Sequence, residues 1–209
     1  VELLEGLGYA VVIPRHVESG RSALSKGFLR RARVLAGRNV ALLKEVVTAA
    51  APWLGIEPSA ILAFRDEYPD LLRGREQEDA RALALHCLLF DEWFAREMDA
   101  GRITAAAFRE QRQVVKLHGH CHQKALSSLV PTLRMLELPP GQSVHLIPSG
   151  CCGMAGAFGY EAEHFEVSNA IGELVLFPAI RNCGPETVVV APGTSCRHQI
   201  HDATGRQAL

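Results

Sequence analysis

The stretch Val114–Cys121, VVKLHGHC, decides how the second half of the chain folds. Its aliphatic run leads straight into a glycine turn, which is typical of a buried strand that ends at a loop. Two later stretches have the same form, SVHLIP (Ser143–Pro148) and TVVVAPG (Thr187–Gly193), and helix-like segments separate the three. Apolar strands that alternate with helices predict a parallel sheet covered on both faces. We therefore predict an α/β fold.

The segments between these strands carry helical patterns. Lys124–Leu138, KALSSLVPTLRMLEL, indicates one helix with a kink or boundary at Pro131. Tyr160–Ile180 indicates a second helix, which weakens at Pro178.

The chain also shows signs of a duplication. Ile13-Pro14 and Ile147-Pro148 lie 134 residues apart, and Glu57-Pro58-Ser59 precedes Ala191-Pro192-Gly193 by the same offset. The β-rich run YAVVIP (Tyr9–Pro14) would then be a strand of the first copy. A shared offset at two distant points favours duplicated βαβ-type halves, although chance recurrence of proline turns would give the same pattern.

We divide the chain into three parts on this basis. Residues 1–77 form a first repeat that lacks the cysteines, 78–112 a helical insertion between the halves, and 113–209 a second repeat with the cysteines. Apolar residues recur at helical spacing across Glu78–Gly101 in the insertion. This spacing places Cys87 on an apolar stripe, where we expect it to pack in the core.

Composition excludes several classes of function. The 209 residues have a net charge of −1 and scattered arginines, so we expect no nucleic-acid binding. No apolar run approaches the ~20 residues of a membrane span. Six cysteines are too few for a secreted disulfide scaffold, so we expect a cytoplasmic protein that reaches a membrane only through partners. The chain begins with Val1 inside a helical pattern, so we also expect a fragment of a longer polypeptide.

Four of the six cysteines stand in loops that follow the predicted strands: Cys121, Cys151, Cys152 and Cys196. Ligand sites in parallel sheets form outside the carboxyl ends of strands, so we expect these thiols to converge. Four thiolates suffice for a [4Fe–4S] cluster or a tetrahedral zinc ion. Adjacent cysteines suit the separate iron atoms of a cluster better than one zinc, which favours iron–sulfur and leaves zinc open. Thiol–disulfide catalysis by Cys151 or Cys152 is a third, weaker alternative.

Polar residues beside these cysteines are candidates for contacts to the centre or to a partner. Three histidines surround Cys121, and one of them could ligate a metal or donate to a sulfur. In an extended segment they would alternate with their neighbours and lie on one side, with Cys121 opposite. An arginine and a histidine after Cys196 could hold an anionic partner, and the glycine after Cys152 allows close backbone approach. These residues are His118, His120, His122, Gly153, Arg197 and His198.

Several of these stretches resemble a known domain. HGHCHQKAL (His118–Leu126), IPSGCCGMAGAFGYE (Ile147–Glu161) and VVAPGTSCRHQI (Val189–Ile200) are similar to the cysteine-rich CCG domain. That domain occurs in one of the subunits of heterodisulfide reductase, in the iron–sulfur subunit of glycolate oxidase and at the C-terminal end of large FAD-linked oxidases. IPRHVESGR (Ile13–Arg21) and GIEPSAILAFRDEYPDL (Gly55–Leu71) bring the chain nearest to the last group.

The resemblance implies more than the residues do. It implies a duplicated α/β fold beside a flavin domain that oxidises a 2-hydroxy acid such as D-lactate or glycolate. Ferredoxin-like clusters would relay the electrons, and FAD would be bound only in the neighbouring domain. The electron acceptor is not implied.

The chain departs from the family pattern of Cys, Cys-Cys-Gly and Cys-x-x-Cys. Gln199 stands three residues after Cys196, where the pattern has its last cysteine, which favours a four-cysteine site. In the first copy Glu18-Ser19-Gly20 replaces Cys-Cys-Gly, and Leu62 stands opposite Cys196. That copy can offer the centre at most the carboxylates of Glu18 and Glu57.

Two functions therefore compete. The first is an electron-transfer domain of a flavin-linked oxidoreductase, and the second is a zinc-stabilised structural or docking domain without redox activity of its own. No residue pattern indicates a catalytic group in this chain, so the first function would also leave hydride abstraction to a neighbouring domain.

Overall fold

A computed structural model describes residues 1–209 and has twelve α-helices and two parallel sheets, which confirms the predicted α/β class. The helices are α1 (Glu2–Gly6), α2 (Arg21–Ser25), α3 (Leu29–Leu43), α4 (Pro58–Arg65), α5 (Glu67–Leu71), α6 (Arg75–Ala84), α7 (Phe90–Asp99), α8 (Cys121–Leu126), α9 (Val130–Glu137), α10 (Phe165–Glu173), α11 (Leu176–Arg181) and α12 (Thr194–Thr204). The strands are β1 (Trp53–Gly55), β2 (Cys87–Leu89), β3 (Gln113–Leu117), β4 (Gln142–Leu146) and β5 (Val188–Val190).

The larger sheet has the order β4-β3-β5, and all of its strands are parallel. Val115 in the central strand lies opposite Val144 on one side and Val188 on the other. Helices connect successive strands, as parallel pairing requires. The three strands therefore end at one edge, and each is followed there by one of the cysteine loops.

The smaller sheet pairs β1 with β2 in parallel, with Leu54 opposite Leu88. A second short parallel pairing occurs between Val189 of β5 and Ala208. In both places a short strand is followed by a helix, α4 or α12, before the parallel partner is reached. The proposed repeat boundaries at 77 and 112 remain predictions.

The strand predicted at Tyr9–Pro14 is wrong. This run pairs with no other strand, and the side chains of Val12 and Ile13 are 80% and 73% exposed. A β-rich composition forms a strand only where a neighbouring backbone supplies hydrogen-bond partners. Both strands of this half, β1 and β2, already pair with each other.

The helix predicted across Glu78–Gly101 is interrupted by a strand. Its residues form α6, β2 and α7, and Cys87 lies in β2. The expected core packing of Cys87 is confirmed, because its side chain is fully buried in the hydrophobic core of the first half. The helices predicted around Pro131 and Pro178 are likewise each divided in two. Pro131 lies in the first turn of α9 and Pro178 in the first turn of α11. In the first turn of a helix the missing N–H of proline costs no hydrogen bond.

Three hydrophobic clusters form the core, and the smallest lies around Trp93 and Phe94 of α7. The other two support the two halves. One packs α3, α4, α5 and α6 on the smaller sheet, and the other packs α11 and α12 on β5 and includes Cys152 and Cys196. The halves meet where α4 contacts α8 and α7 contacts α9. No helix combines the length and apolar character needed to cross a bilayer.

Candidate metal centre

Three strand ends bring the four loop cysteines to one place. Cys121 is the first residue of α8, after β3, and Cys196 lies in the first turn of α12, after β5. Cys151 and Cys152 lie in the loop after β4. All four are free thiols, and the Sγ atoms of Cys152 and Cys196 lie within 4.8 Å of each other.

The four thiols form a continuous row in the order Cys121, Cys151, Cys152, Cys196. The neighbouring Cys151 and then burial raise the pKa of Cys121, whereas hydrogen bonds from Cys121 and Cys152 lower the pKa of Cys151. Cys151 and Cys196 on either side raise the pKa of Cys152. The Cys152 thiol lowers the pKa of Cys196 to about 5, although burial alone would raise it. The His118 ring lowers the pKa of Cys196 further. These pairwise effects place each thiol beside the next, an arrangement that suits thiolate ligation of one centre.

The loop that carries the vicinal cysteines is shaped to hold an anionic sulfur. The backbone N–H of Gly153 donates to Cys151 Sγ at 3.3 Å. Gly153, Ala155 and Gly156 have φ values of 99°, 40° and 68°, and the backbone N–H groups of Gly153 and Ala155 both lower the pKa of Cys151. A side chain at Gly153 is excluded, because its Cβ would lie 2.0 Å from the carbonyl oxygen of Ser168.

A lysine on α8 fixes the start of the same loop. Lys124 Nζ donates to the carbonyl oxygens of Ser149 and Gly150 at 2.6 and 2.5 Å. Because α8 also begins with Cys121, this clamp holds the β3 and β4 loops together.

His118 is the most deeply buried polar residue of the site. Its side chain is fully buried, and a ring nitrogen lies within 4.8 Å of the sulfurs of Cys152 and Cys196. Nδ1 hydrogen-bonds to Ser149 Oγ at 2.7 Å, whereas Nε2 is buried without a hydrogen-bond partner. The proximity of the ring to Cys196 favours the thiolate of that residue.

The other two histidines face the first half of the chain. His120 Nδ1 accepts from the backbone N–H of His122 at 3.2 Å, and His120 Nε2 lies 3.8 Å from Glu57 Oε1. Burial and the nearby Arg21 lower the pKa of His122. The three histidines do not alternate along one side of an extended segment, because α8 begins at Cys121.

Glu57 joins the two halves at this point. Its carboxylate caps α4 by accepting from Ser59, and Oε2 accepts from the backbone N–H of Thr194, the first residue of α12, at 2.7 Å. Burial alone would raise the pKa of Glu57, but hydrogen bonds from Thr194 and Ser59 and the nearby His120 lower it. Glu57 therefore remains an anion beside the site.

Three of the predicted residues are engaged elsewhere. Glu18 is exposed, and its carboxylate pairs with Arg31 at 2.9 Å. The Arg197 guanidinium bonds to the carbonyl oxygens that follow β5, at 3.0 and 3.1 Å. The exposed His198 contacts the hydroxyl of Tyr160 at 3.2 Å. The roles predicted for them stay predictions.

Sequence reasoning missed Lys124, Ser149 and Thr194. Lys124 lies three residues after Cys121, on the same face of α8, and that spacing was the available signal. Ser149 and Thr194 act only through contacts with distant residues, for which the sequence offers no pattern. Gln199, in the place of the missing cysteine, is buried and donates to Ser168 Oγ at 3.0 Å.

The chain is similar to parts of larger dehydrogenases. D-2-hydroxyglutarate dehydrogenase of Pantoea ananatis is 29% identical over 206 residues, which are 98% of this chain and 19% of that protein. One of the subunits of the anaerobic glycerol-3-phosphate dehydrogenase of Escherichia coli (strain K12) is 30% identical over 206 residues, 98% of this chain and 50% of the relative. D-2-hydroxyglutarate dehydrogenase of Haemophilus influenzae is 25% identical over 205 residues, 96% of this chain and 19% of that protein.

The relatives thus match the chain almost from end to end, while the chain spans from about a fifth to half of their length. Their names place them among the oxidoreductases. No protein-family model matches the chain. The narrower resemblance to the CCG domain stays a prediction.

Proposed function

We propose that this protein is an electron-transfer domain that binds an iron–sulfur cluster, [4Fe–4S], within a larger oxidoreductase. The observation that carries the proposal is the row of thiols from Cys121 to Cys196, half-buried at Cys121 and Cys151 and buried at Cys152 and Cys196. The ends of three parallel strands bring these thiols together from distant parts of the sequence. Cysteines that serve only packing have no reason to converge from three separate loops, whereas the ligands of one cluster must do so.

The donor chemistry of the site fits the proposed group. Cys121, Cys151, Cys152 and Cys196 would hold the cluster, and Cys151 and Cys196, whose pKa values are lowered, would lose their protons before the other two. When bound, a cluster supplies one-electron transfer at a potential set by its surroundings. The chain's own part is to exclude water, to donate backbone N–H groups to sulfur, and to keep Lys124 and Glu57 nearby as fixed charges.

We also propose that the rest of the reaction lies outside this chain. The relatives are named for D-2-hydroxyglutarate and glycerol-3-phosphate dehydrogenation and are two to five times longer. A flavin domain that oxidises a 2-hydroxy acid such as D-lactate or glycolate, together with ferredoxin-like clusters, would supply electrons to this domain. FAD would bind only in that neighbouring domain.

Anaerobic purification followed by iron, sulfide and zinc analysis tests the proposal. We expect iron and sulfide in equal amounts and broad absorption at about 400 nm that bleaches with dithionite. Cys152→Ser and Cys196→Ser should lose both. Cys183→Ser is the matched control, because Cys183 donates instead to the carbonyl of Ala179 at 3.2 Å and a serine can keep that bond. A colourless protein without iron, even after reconstitution with iron and sulfide, would contradict the proposal.

A zinc-stabilised structural or docking domain is the second candidate. The compact arrangement of His118, Cys152 and Cys196 within 4.8 Å favours it, because nitrogen and sulfur ligands at this separation suit a tetrahedral ion. One zinc per chain in protein purified without added metal, with no redox-active iron, would support this function over electron transfer.

A further inference from the structure

We infer that His118 is a ligand of the metal centre, so that the donor set is mixed nitrogen and sulfur instead of sulfur alone. The inference rests on the proposed metal-binding function and concerns which side chains perform it. It assigns to His118 Nε2 the role of an additional donor beside Cys152 and Cys196.

The first argument is the unpaired nitrogen. His118 is fully buried, and its Nε2 has no hydrogen-bond partner. Only two other buried side-chain atoms lack a partner, and both belong to residues that are less buried than His118. A buried polar atom without a partner destabilises the fold, so such an atom in a folded protein requires an explanation. A metal ion among the adjacent sulfurs would supply the missing partner.

The second argument is the tautomer. A ligating histidine donates its other ring N–H to a neighbouring acceptor, which fixes the ring and leaves the ligating nitrogen with a free lone pair. His118 Nδ1 has such a partner in Ser149 Oγ at 2.7 Å. Ser149 is itself held through its carbonyl oxygen by Lys124 at 2.6 Å, so the ring orientation is set before any metal arrives.

The third argument is position. A ring nitrogen of His118 and the sulfurs of Cys152 and Cys196 all lie within 4.8 Å of one another. His120 is also buried, but its nitrogens face His122 and Glu57. His118 therefore stands next to Cys196 at the end of the thiol row, while Gln199, in the place of the missing cysteine, is bonded to Ser168.

X-ray absorption on the wild-type protein loaded anaerobically with Zn²⁺ alone tests the assignment without any mutation. We expect an imidazole contribution beside the sulfur scatterers. The contribution should vanish in His118→Asn, whose amide can keep the contact to Ser149 but cannot reach the position of Nε2. It should persist in His120→Ala. Titration with Co²⁺ should show at least ~100-fold weaker binding for His118→Asn, against about 10–100-fold for Ser149→Ala, which disturbs only the orientation of the ring.

The outcomes separate the two proposals. All-sulfur ligation in the wild type, or an imidazole contribution that survives in His118→Asn, would overturn the assignment of His118 and leave metal binding by the cysteines intact. If neither Zn²⁺ nor Co²⁺ binds and reconstitution with iron and sulfide also fails, the proposed function fails with it. If His118→Asn does not fold, the wild-type spectrum together with His120→Ala still decides, since the contribution must then be present and independent of His120.

Discussion

Glu57 and Thr194, 137 residues apart, are joined by a 2.7 Å hydrogen bond from the backbone N–H of Thr194 to Glu57 Oε2. The same carboxylate caps α4, so one side chain serves the first turns of two helices, and the second of these carries Cys196. The first half of the chain, which has no cysteine loop, thus has a physical role at the site. It supplies the acceptor that positions the helix of a proposed ligand.

Glu57→Ala should destabilise the protein and loosen the site together. Loss of an N-terminal cap costs about 0.5–2 kcal/mol, and two helices are affected here. We expect a lower urea midpoint of unfolding and weaker Co²⁺ binding. The control is Glu45→Ala, since Glu45 is exposed and the ion pair beside it is formed by Lys44 with Asp79. Equal urea midpoints for the two variants would show that the bond to Thr194 contributes nothing.

The free energy of unfolding should fall in acid partly because of Glu92. Burial alone would raise the pKa of this carboxyl, but hydrogen bonds from Arg65 and Ser127 lower it below its usual value of 4.5. Because the folded pKa is the lower one, the stabilisation is complete above the unfolded pKa and is lost as the pH falls through the folded pKa. Urea unfolding between neutral pH and about pH 3 should show this decline.

Glu92→Gln provides the comparison for that pH series. The amide removes the charge that Arg65 contacts at 2.7 and 2.9 Å, so we expect a loss of about 1–3 kcal/mol at neutral pH. The difference between wild type and variant should shrink toward acid, where the wild-type carboxylate is also protonated. A difference that stays constant across the series would rule out the proposed linkage.

Cys87 should be chemically inert in the native protein. Burial raises its pKa to about 12, and its side chain lies within the core of the first half. We expect iodoacetamide at neutral pH to label Cys87 only after unfolding, and the half-buried Cys183 to react faster, as measured by mass spectrometry of the peptides. Rapid native labelling of Cys87 would mean that this core opens locally.

The parts of the fold that sequence predicted are those that depend on local pattern. The strands β3, β4 and β5 were found because each is a short apolar run next to a glycine or proline turn, and the cysteine loops follow them directly. The strand β2 was missed because CLLF fits an apolar helix stripe as well as a strand. The choice between them is made by the parallel partner Trp53–Gly55, more than 30 residues earlier.

In the site, too, local sequence patterns predict some features, whereas others depend on contacts between distant residues. Convergence of the four cysteines follows from strand order, which a βαβ pattern constrains strongly. The free Nε2 of His118 and the two-helix cap of Glu57 depend on contacts between residues 31 and 137 positions apart, respectively, and no local pattern predicts them. The expectation that the three histidines alternate failed because the first turn of α8 replaces the extended backbone on which it relied.

Gly153→Ala should abolish the centre, whereas Gly150→Ala should not. At Gly153 an added Cβ would lie 2.0 Å from the carbonyl oxygen of Ser168, and the φ of 99° disfavours any side chain, while nothing lies within 4 Å of a Cβ added at Gly150. We expect Gly153→Ala to lose at least ~2 kcal/mol of stability and its bound metal, because the loop must move and withdraw its N–H from Cys151 Sγ. Thermal unfolding and metal content of both variants measure this difference. Wild-type metal content in Gly153→Ala would show that the loop conformation is not needed for ligation.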